Sequence, residues 1–490
     1  MPTSGRKAVF SFAPTKDDRS SELFRLVLAG MVGLAIAIAA LDPFGDVRLA
    51  VIGLIGAVFL IWSVVNTSRH HEWLIFALVM IEVLASTSIL PGNTSTIGRY
   101  GLEALFCLPI MPSFVRSGIW RNGGFRLFFL YLAWGLITVS YSIAPLYSLG
   151  RVLNTSLLVA AISLCASEIT TDEQLNLVLF RILLGCAIIV GFLCVAVLIL
   201  PASITWQSGD LINESGRVMF SRGGVQRFQG LLGSPNQVGE VMMTTIAVAL
   251  IYWNAASKRT KAVLAIIMAL AFGLNALADS RTPAAAILAG AATYAIYKYR
   301  FRAIVVCVGL AFLVSIALLL TTAKLGGYVN RDVTSFTGRS DIWAFTVHQI
   351  EQSPLLGYGY EVEGAILDNK DFPLWYGPWD MGPHSSLHEN YLARAVGVGV
   401  PAALFWFFIM LRPWVVLFRS EGDPLGLRRI GLFAVLPIFI LGFAESSAAD
   451  CRYSVGLLMM LAWALAENQR LSVNRRKSAP QTINLFPLAG

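Results

Sequence analysis

Three arginines lie next to predicted helix starts, in polar segments of an otherwise apolar chain: Arg227, Arg281 and Arg339. A helix start presents free N–H groups and the positive end of the helix dipole, which attract anions. A guanidinium group can bind two phosphate oxygens at once. One such arginine could be a snorkelling membrane anchor, but three on one face predict a site for an anion with two or more phosphates.

Capping residues support two of these helix starts. Ser234 suits an N-cap, Pro235 the first helical position, and Gln237 the third position of a capping box. Thr282 and Pro283 repeat the pattern, with Thr282 as the expected cap. We therefore expect helices to begin at these two places, each beside an arginine.

A histidine pair ends the longest polar segment. His388 begins an apolar run, His384 lies four residues earlier, and Asn390 and Tyr391 follow. A histidine that titrates near neutral pH can accept a proton from a sugar hydroxyl. We expect His388 to do so, with His384 as its rival, Asn390 and Tyr391 as secondary contacts, and a purely structural polar role as the alternative. If a helix begins at or before His384, the two histidines share a face.

Composition identifies the broad class. The chain has 490 residues, of which 56% are hydrophobic and 13% are charged, whereas soluble domains have about 25% charged residues. The net charge of +8 is typical of basic cytoplasmic loops in a membrane protein and does not indicate nucleic acid. Cysteine spacing indicates neither a disulfide framework nor a zinc site, and no HExxH motif is present. We expect no metal and no cofactor.

Long apolar runs predict an all-α polytopic membrane protein with about 12–14 transmembrane helices, because about 17–25 apolar residues cross a core of roughly 30 Å. A run near 98–114 is weak, because Glu103 and Pro109 interrupt it. When it is counted, every other loop is basic, which favours cytoplasmic termini. The runs fall near 24–41, 47–66, 73–90, 98–114, 127–143, 152–167, 178–200, 236–255, 261–278, 284–298, 302–320, 389–411, 429–446 and 453–468.

The same topology puts the polar segments 201–235, 279–283 and 321–388 at the outer face. The last is a long loop that contains a short amphipathic helix, near Ser340 to Gln352. We expect a basic cytoplasmic N-terminus at 1–23, transmembrane helices over 24–200 and 412–470, and a cytoplasmic tail at 471–490. The region 201–411 between them carries the candidate site.

Short motifs follow one another in a fixed order between Arg227 and Phe408. They are Arg227 with Ser234-Pro235-Asn236, then Ser280-Arg281, Gly338-Arg339-x-x-Ile342-Trp343, Ser353-Pro354-Leu355-Leu356-Gly357-x-Gly359, His388-x-x-Tyr391-Leu392 and Gly399-x-Pro401. In order and spacing this set resembles the O-antigen ligase and polysaccharide polymerase superfamily. The chain departs from the family pattern at Glu389, where the family often has Asn directly after the histidine.

The resemblance implies a glycosyltransferase at the periplasmic face of the bacterial inner membrane. Such enzymes pass a glycan from an undecaprenyl-diphosphate carrier to an acceptor hydroxyl. The acceptor is lipid A-core for a ligase, or another lipid-linked repeat unit for a polymerase. On this interpretation Arg227 and Arg281 bind the diphosphate, Arg339 is a third contact, and His388 is the base. The expected partners are these two substrates and membrane lipids, with no nucleic acid.

Two other classes of protein stay open. A metal-dependent lipid-phosphosugar transferase would use an acidic pair, and Asp42 with Asp46 lies in the first outer loop. A transporter would have polar groups deep in the membrane, where this chain has few charges: Glu82, Glu103, Glu240 and Arg394. Between ligase and polymerase, we expect the aromatic loop 360–383 to decide acceptor choice.

Overall fold

The structure is a computed structural model that describes residues 71–86, 93–200, 206–207, 211–212, 218–220, 227–230, 232, 234–299, 339–367, 389–419, 426–443, 445 and 453–478. All of them lie within one compact unit from Ser63 to Gly490. Both candidate histidines, His384 and His388, lie outside the described residues, as do Asp42 and Asp46. The same holds for the predicted spans near 24–41, 47–66 and 302–320.

Helices make up nearly all of the described chain. They are α1 His71–Ser86, α2 Asn93–Cys107, α3 Met111–Ser117, α4 Gly123–Thr138, α5 Pro145–Glu168, α6 Asp172–Ile199, α7 Pro235–Tyr252, α8 Lys258–Leu277, α9 Arg281–Tyr299, α10 Arg339–Gln352, α11 Glu363–Leu367, α12 Asn390–Val398, α13 Val400–Arg419, α14 Leu427–Ile430, α15 Leu436–Leu441 and α16 Ser454–Ser478. A π-helical turn, Gly431–Val435, joins α14 to α15.

Helices α7 and α16 form the centre of the bundle. Nearly every side chain of α7 is buried, and α16 is buried from Ser454 to Glu467. A helix that is apolar all round must be covered on all sides, by protein or by lipid. Helix α16 packs against α5, α7, α13 and α4, while α7 packs against α6, α8 and α9. These contacts put the two central helices against most of the described bundle.

Four helical segments in the described part of the chain are long and apolar enough to cross a membrane: Gly123–Tyr141, Pro145–Glu168, Asp172–Ile199 and Lys258–Leu277. A shorter apolar helix covers Val400–Val416. The predicted class, an all-α polytopic membrane protein, is therefore confirmed.

The structure contains two small strand pairs that the sequence did not predict. Strand β1 Trp206–Gln207 pairs with β4 Arg227–Phe228, and β2 Leu211–Ile212 pairs with β3 Val218–Phe220. Both pairs are antiparallel and lie in the predicted outer segment 201–235. Each lets backbone N–H and C=O groups of a polar segment bond to one another.

Two predicted spans are interrupted. The run 389–411 divides into α12 and α13 at Gly399, whose φ of 83° is left-handed and ends the helix. The weak run near 98–114 divides between α2 and α3, where Leu108–Ile110 forms a 3-10 turn that contains Pro109. Proline has no N–H to donate to a carbonyl in the preceding turn, which accounts for the second break.

The predicted cap is correct at Ser234 and wrong at Thr282, and the predicted capping box at Ser234 is not formed, because Oε1 of Gln237 accepts no hydrogen bond. The Ser234 hydroxyl accepts the backbone N–H of Gln237 at 3.3 Å, and Pro235 is the first residue of α7. Helix α9 instead begins at Arg281, so Thr282 is already helical and is not the cap. The preceding Asp279 has a left-handed φ of 46°, and this turn reverses the chain earlier than the sequence pattern predicts.

A buried carboxylate joins two helix ends at the face opposite the candidate site. Glu467 of α16 accepts the backbone N–H of Gly124 at 2.7 Å and the Nε–H of Arg470 at 2.9 Å. The start of α4 and the end of α16 therefore lie together. This contact is compatible with the predicted topology, which assigns both ends to the cytoplasmic side.

Candidate active site

Arg227 is buried and holds the turn between α8 and α9. Its Nε donates to the carbonyl of Ala278 at 2.9 Å, and its Nη2 donates to the carbonyl of Asp279 at 3.3 Å and to Oδ1 of Asn236 at 2.9 Å. The C-terminal carbonyls of a helix carry partial negative charge, so a cation is stabilised there. Much of the hydrogen-bonding capacity of Arg227 is therefore committed to protein atoms.

Arg281 has the opposite environment. Its side chain is 62% exposed, and its Nε lies 3.1 Å from Oδ1 of Asp279. It is the first residue of α9, where the helix dipole already repels a cation. Asp279 offsets part of its charge through Nε, and the rest of the exposed guanidinium is accessible to an anion at this helix start.

The starts of α7 and α9 lie against each other. A Cβ placed on Gly239, in the first turns of α7, would come within 2.2 Å of the Ser280 hydroxyl oxygen and 3.0 Å of Pro283 Cγ. Ser280 itself is buried. Only glycine allows this approach, so the two helix starts and the two arginines next to them converge on one place.

A buried carboxylate extends the Arg227 network. The Asn236 side chain accepts from Arg227 and donates its Nδ2–H to Oε1 of Glu445 at 3.0 Å. Glu445 is buried and lies beyond the end of α15. Sequence analysis missed Glu445, because an isolated glutamate at the end of an apolar run gives no local signal of a partner more than 200 residues away.

The turn at 353–359 is bonded to the break between α12 and α13. The N–H of Tyr358 donates to the carbonyl of Val396 at 3.0 Å, that of Gly359 to Gly397 at 2.8 Å, and that of Val400 to Pro354 at 2.8 Å. Two of the sequence motifs, the Ser353 turn and the Gly399-x-Pro401 motif, therefore meet. We call this set of backbone bonds the seam.

Glycines make the seam possible. Gly357 and Gly399 have left-handed φ values of 70° and 83°. A Cβ on Gly357 would lie 2.4 Å from the Gly397 carbonyl oxygen, and one on Gly399 would lie 2.2 Å from that of Leu355. The glycines of both motifs are thus required by close backbone approach.

A buried ion cluster lies directly after the seam. Nη1 of Arg394 in α12 forms an ion pair with Oε1 of Glu361 at 2.9 Å, and Arg151 of α5 lies 3.9 Å from the same carboxylate. Glu361 has a left-handed φ of 54°. Burial of the Glu363 carboxyl, together with repulsion from Glu361, raises the pKa of Glu363 above its usual range. The cluster fixes the outer segment to two bundle helices.

Helix α10, Arg339–Gln352, is the amphipathic helix predicted near Ser340–Gln352. Its Ile342 and Phe345 are buried in a cluster with Ala393 and Val396 of α12. Arg339 is the first residue of α10, so the packing fixes the helix start at which this arginine lies.

The helix after the histidines begins at Asn390, with Glu389 as its cap. The Glu389 carboxylate accepts the N–H of Leu392. Tyr391 donates its phenolic hydrogen to the carbonyl of Phe439 at 2.8 Å, and Asn390 donates its backbone N–H to Gly442 at 2.8 Å. Helix α12 therefore does not extend back to His384, and these contacts give Tyr391 a packing role.

Two comparisons with known proteins agree with the motifs. Residues 266–407 match the family model described as O-antigen ligase. A relative described as O-antigen ligase, from Pseudomonas aeruginosa, is 26% identical over 306 residues, which cover 58% of this chain and 71% of the relative.

Both matches support the O-antigen ligase superfamily. This similarity supports an enzyme that transfers glycans. The matched segment contains Arg281, Arg339 and His388, while Arg227, Asn236 and Glu445 lie outside it. The structure brings Arg227 and Asn236 against the Ala278–Asp279 turn that lies inside the matched segment.

Side chains that could bind a metal form no cluster within the part of the chain that the structure describes. No three His, Cys, Asp or Glu side chains there are close enough to hold an ion. The expected Asp42 and Asp46 pair of the metal-dependent alternative lies outside that part.

Proposed function

We propose that this protein is an O-antigen ligase that transfers a glycan from undecaprenyl diphosphate to an acceptor sugar hydroxyl at the periplasmic face. The observation that carries the proposal is the convergence of two helix starts, α7 and α9, beside Arg281 and Arg227. The family match and the ordered motifs support it. The acceptor proposed for a ligase is lipid A-core, and the P. aeruginosa relative favours ligase over polymerase.

The proposed chemistry needs stabilisation of a leaving diphosphate. When the bond between the sugar and the diphosphate breaks, negative charge grows on the phosphate oxygens. Preorganised donors aimed at that charge lower the barrier most. Exposed Arg281, at the N-terminus of α9, is the proposed ligand for the diphosphate, and Arg339 at the start of α10 is a proposed further contact.

We propose that Arg227 has a positioning role in addition to its contact with the diphosphate. It bonds to the carbonyls of Ala278 and Asp279, directly before Arg281. Asn236 and Glu445 hold its Nη2 side in turn. We therefore infer that Arg227 orients the turn that presents Arg281, with Asn236 and Glu445 as positioning residues.

The acceptor hydroxyl is the poor nucleophile and needs a proton acceptor. His388 is the proposed base, and His384 is its rival. His388 directly precedes the Glu389 cap of α12, whose position the seam and the ion cluster fix. Residues 368–383 of the predicted loop 360–383 are the proposed determinant of acceptor choice, because Glu361, Val362 and Leu367 are buried in the protein. The proposed transfer requires no metal.

The decisive experiment compares two histidine variants in a strain that lacks the native gene. His388→Ala should reduce transfer by about 10²–10⁴-fold, the usual contribution of a positioned base, while binding of the lipid diphosphate stays nearly intact. His384→Ala is the matched control, and both variants must insert normally. Loss of transfer in His384→Ala alone would assign the base to His384 instead.

The glycan profile of the deletion strain separates ligase from polymerase. Full-length polymer left on the lipid carrier indicates a ligase, which is the expected result. Accumulation of single repeat units with loss of polymer would instead indicate a polymerase.

A further inference from the structure

A cavity of about 400 Å³ lies at the end of the bundle opposite the candidate site. It is a partly open cavity lined by the first turns of α6, the end of α7 and the start of α14, and this volume is within the range of ligand pockets. Its apolar wall comprises Leu175, Leu179, Ile251 and Ile430, and its polar lining comprises Asp172, Asn176, Asn254 and Arg429.

The polar side chains that line the cavity are available to a ligand. Among the described residues, no side-chain hydrogen bond or ion pair involves Asp172, Asn176, Asn254 or Arg429. The Nη1 of Arg429 is buried and has no hydrogen-bond partner there. A buried charged donor without a partner is unfavourable, because it has lost its hydrogen bonds to water. A ligand with matching polar groups would remove that cost.

The position of the cavity indicates where such a ligand comes from. Helix α6 has the length and apolarity of a membrane span, and the cavity lies at its first turn, where lipid headgroups meet the protein. The nearby segments carry Lys258, Arg259 and Arg428, and basic segments next to membrane spans face the cytoplasm.

We propose that this cavity binds the headgroup of a zwitterionic aminophospholipid of the cytoplasmic leaflet. The phosphodiester pairs with Arg429, the primary ammonium pairs with Asp172, and the two asparagine amides bond to the remaining oxygens. The apolar wall covers the glycerol end of the chains. A purely anionic headgroup would leave Asp172 unpaired and repelled, so the mixed charge selects the zwitterion.

The test uses the full-length protein in nanodiscs, with bound lipid counted by mass spectrometry after delipidation. Equal amounts of phosphatidylethanolamine, phosphatidylglycerol and phosphatidylcholine are supplied. Wild type should retain phosphatidylethanolamine preferentially, because only its ammonium donates hydrogen bonds. Arg429→Gln should lower retention by roughly tenfold or more, the effect of one lost charge-assisted bond.

Matched variants distinguish lipid binding in this cavity from lipid binding to a basic surface in general. Arg428→Gln removes the neighbouring charge, which does not line the cavity, and should leave retention unchanged. Asp172→Asn should erase the preference over phosphatidylglycerol, and Ala255→Phe should displace lipid by filling the space. Equal loss in Arg428→Gln and Arg429→Gln, or equal retention of all three lipids by wild type, would overturn the proposal. No step of this test depends on transferase activity.

Discussion

Arg227 and Arg281 have the same side chain but different surroundings, and the surroundings separate their roles. The guanidinium of Arg227 is buried and bonded to the carbonyls of Ala278 and Asp279. That of Arg281 is 62% exposed and faces one carboxylate. Removing the buried guanidinium leaves these two carbonyls without their donor, whereas an exposed arginine can be removed without that cost.

Substitution of the two arginines should therefore separate binding from folding. Arg281→Ala should weaken binding of undecaprenyl diphosphate by about 10–100-fold, since a charge-assisted hydrogen bond contributes about 1.5–3 kcal/mol. Its melting temperature should not change. Arg281→Lys should rescue poorly, because an ammonium is a point charge without the guanidinium fork.

Arg227→Ala should lower the melting temperature as well as binding, with about 1–3 kcal/mol lost from the unsatisfied carbonyls. Lipid binding and thermal unfolding in detergent measure the two effects. A thermal loss in Arg281→Ala without one in Arg227→Ala would reverse the assignment.

The raised pKa of Glu363 predicts a pH effect on stability. Between the ordinary glutamate pKa of about 4.3 and the higher folded pKa, the unfolded chain releases this proton first. The free energy of unfolding therefore falls as pH rises through that window. Glu363→Gln should remove this loss, so the variant should have a flatter stability profile and be more stable at neutral pH.

The control for Glu363 is Glu351→Gln in α10, where the side chain is 71% exposed. Thermal unfolding measured across the pH range compares the two variants. An unchanged profile in Glu363→Gln would mean that the carboxyl does not titrate as the surroundings of the cluster predict.

At the scale of elements, the contact between α7 and the turn before α9 depends on Gly239, because a side chain at that position would collide with the turn. Gly239→Ala would push against the Ser280 side chain and Pro283. Overpacking of this kind costs about 1–3 kcal/mol, and the turn that carries Arg281 would have to move. We expect lower melting temperature and weaker donor binding.

Gly273→Ala in α8 is the matched control, since its Cβ would meet nothing within 4 Å. It should be neutral or slightly stabilising, because alanine favours helix over glycine by about 1 kcal/mol. If both variants behave alike, the close approach of α7 and the turn does not position Arg281.

Local rules predicted the elements better than the contacts between them. Ser234 and Pro235 predicted the start of α7 correctly, because a capping residue bonds to backbone N–H groups within the first turn of its own helix. The start of α9 was misjudged because Asp279 turns the chain through a left-handed conformation, which the sequence pattern Thr-Pro does not reveal. Glu445 and the pairing of Glu361 with Arg394 join distant segments, so no window of the sequence contains them. Apolar periodicity alone does not specify such partners.

At the scale of the whole molecule, the topology rests on charge asymmetry and stays a prediction. Cysteines introduced as Asp210→Cys and Lys370→Cys, in a background without the six native cysteines, should react with an impermeant maleimide in intact spheroplasts. Arg419→Cys should react only after lysis, because its loop is assigned to the cytoplasm. Labelling of Arg419→Cys alone in intact spheroplasts would mean that the predicted topology is inverted.

The buried cluster that joins α10, α11 and α12 has a consequence for how the sequence between α11 and α12 can vary. Leu367 and Ala393, on either side of the segment 368–388, belong to one buried cluster, so both flanks of that segment are clamped together. Lengthening such a closed insertion costs little, about 0.6 kcal/mol for each doubling of loop length. We therefore expect the part of this segment that precedes His384 to tolerate insertions and replacements, while the flanking helices and both candidate histidines stay in place.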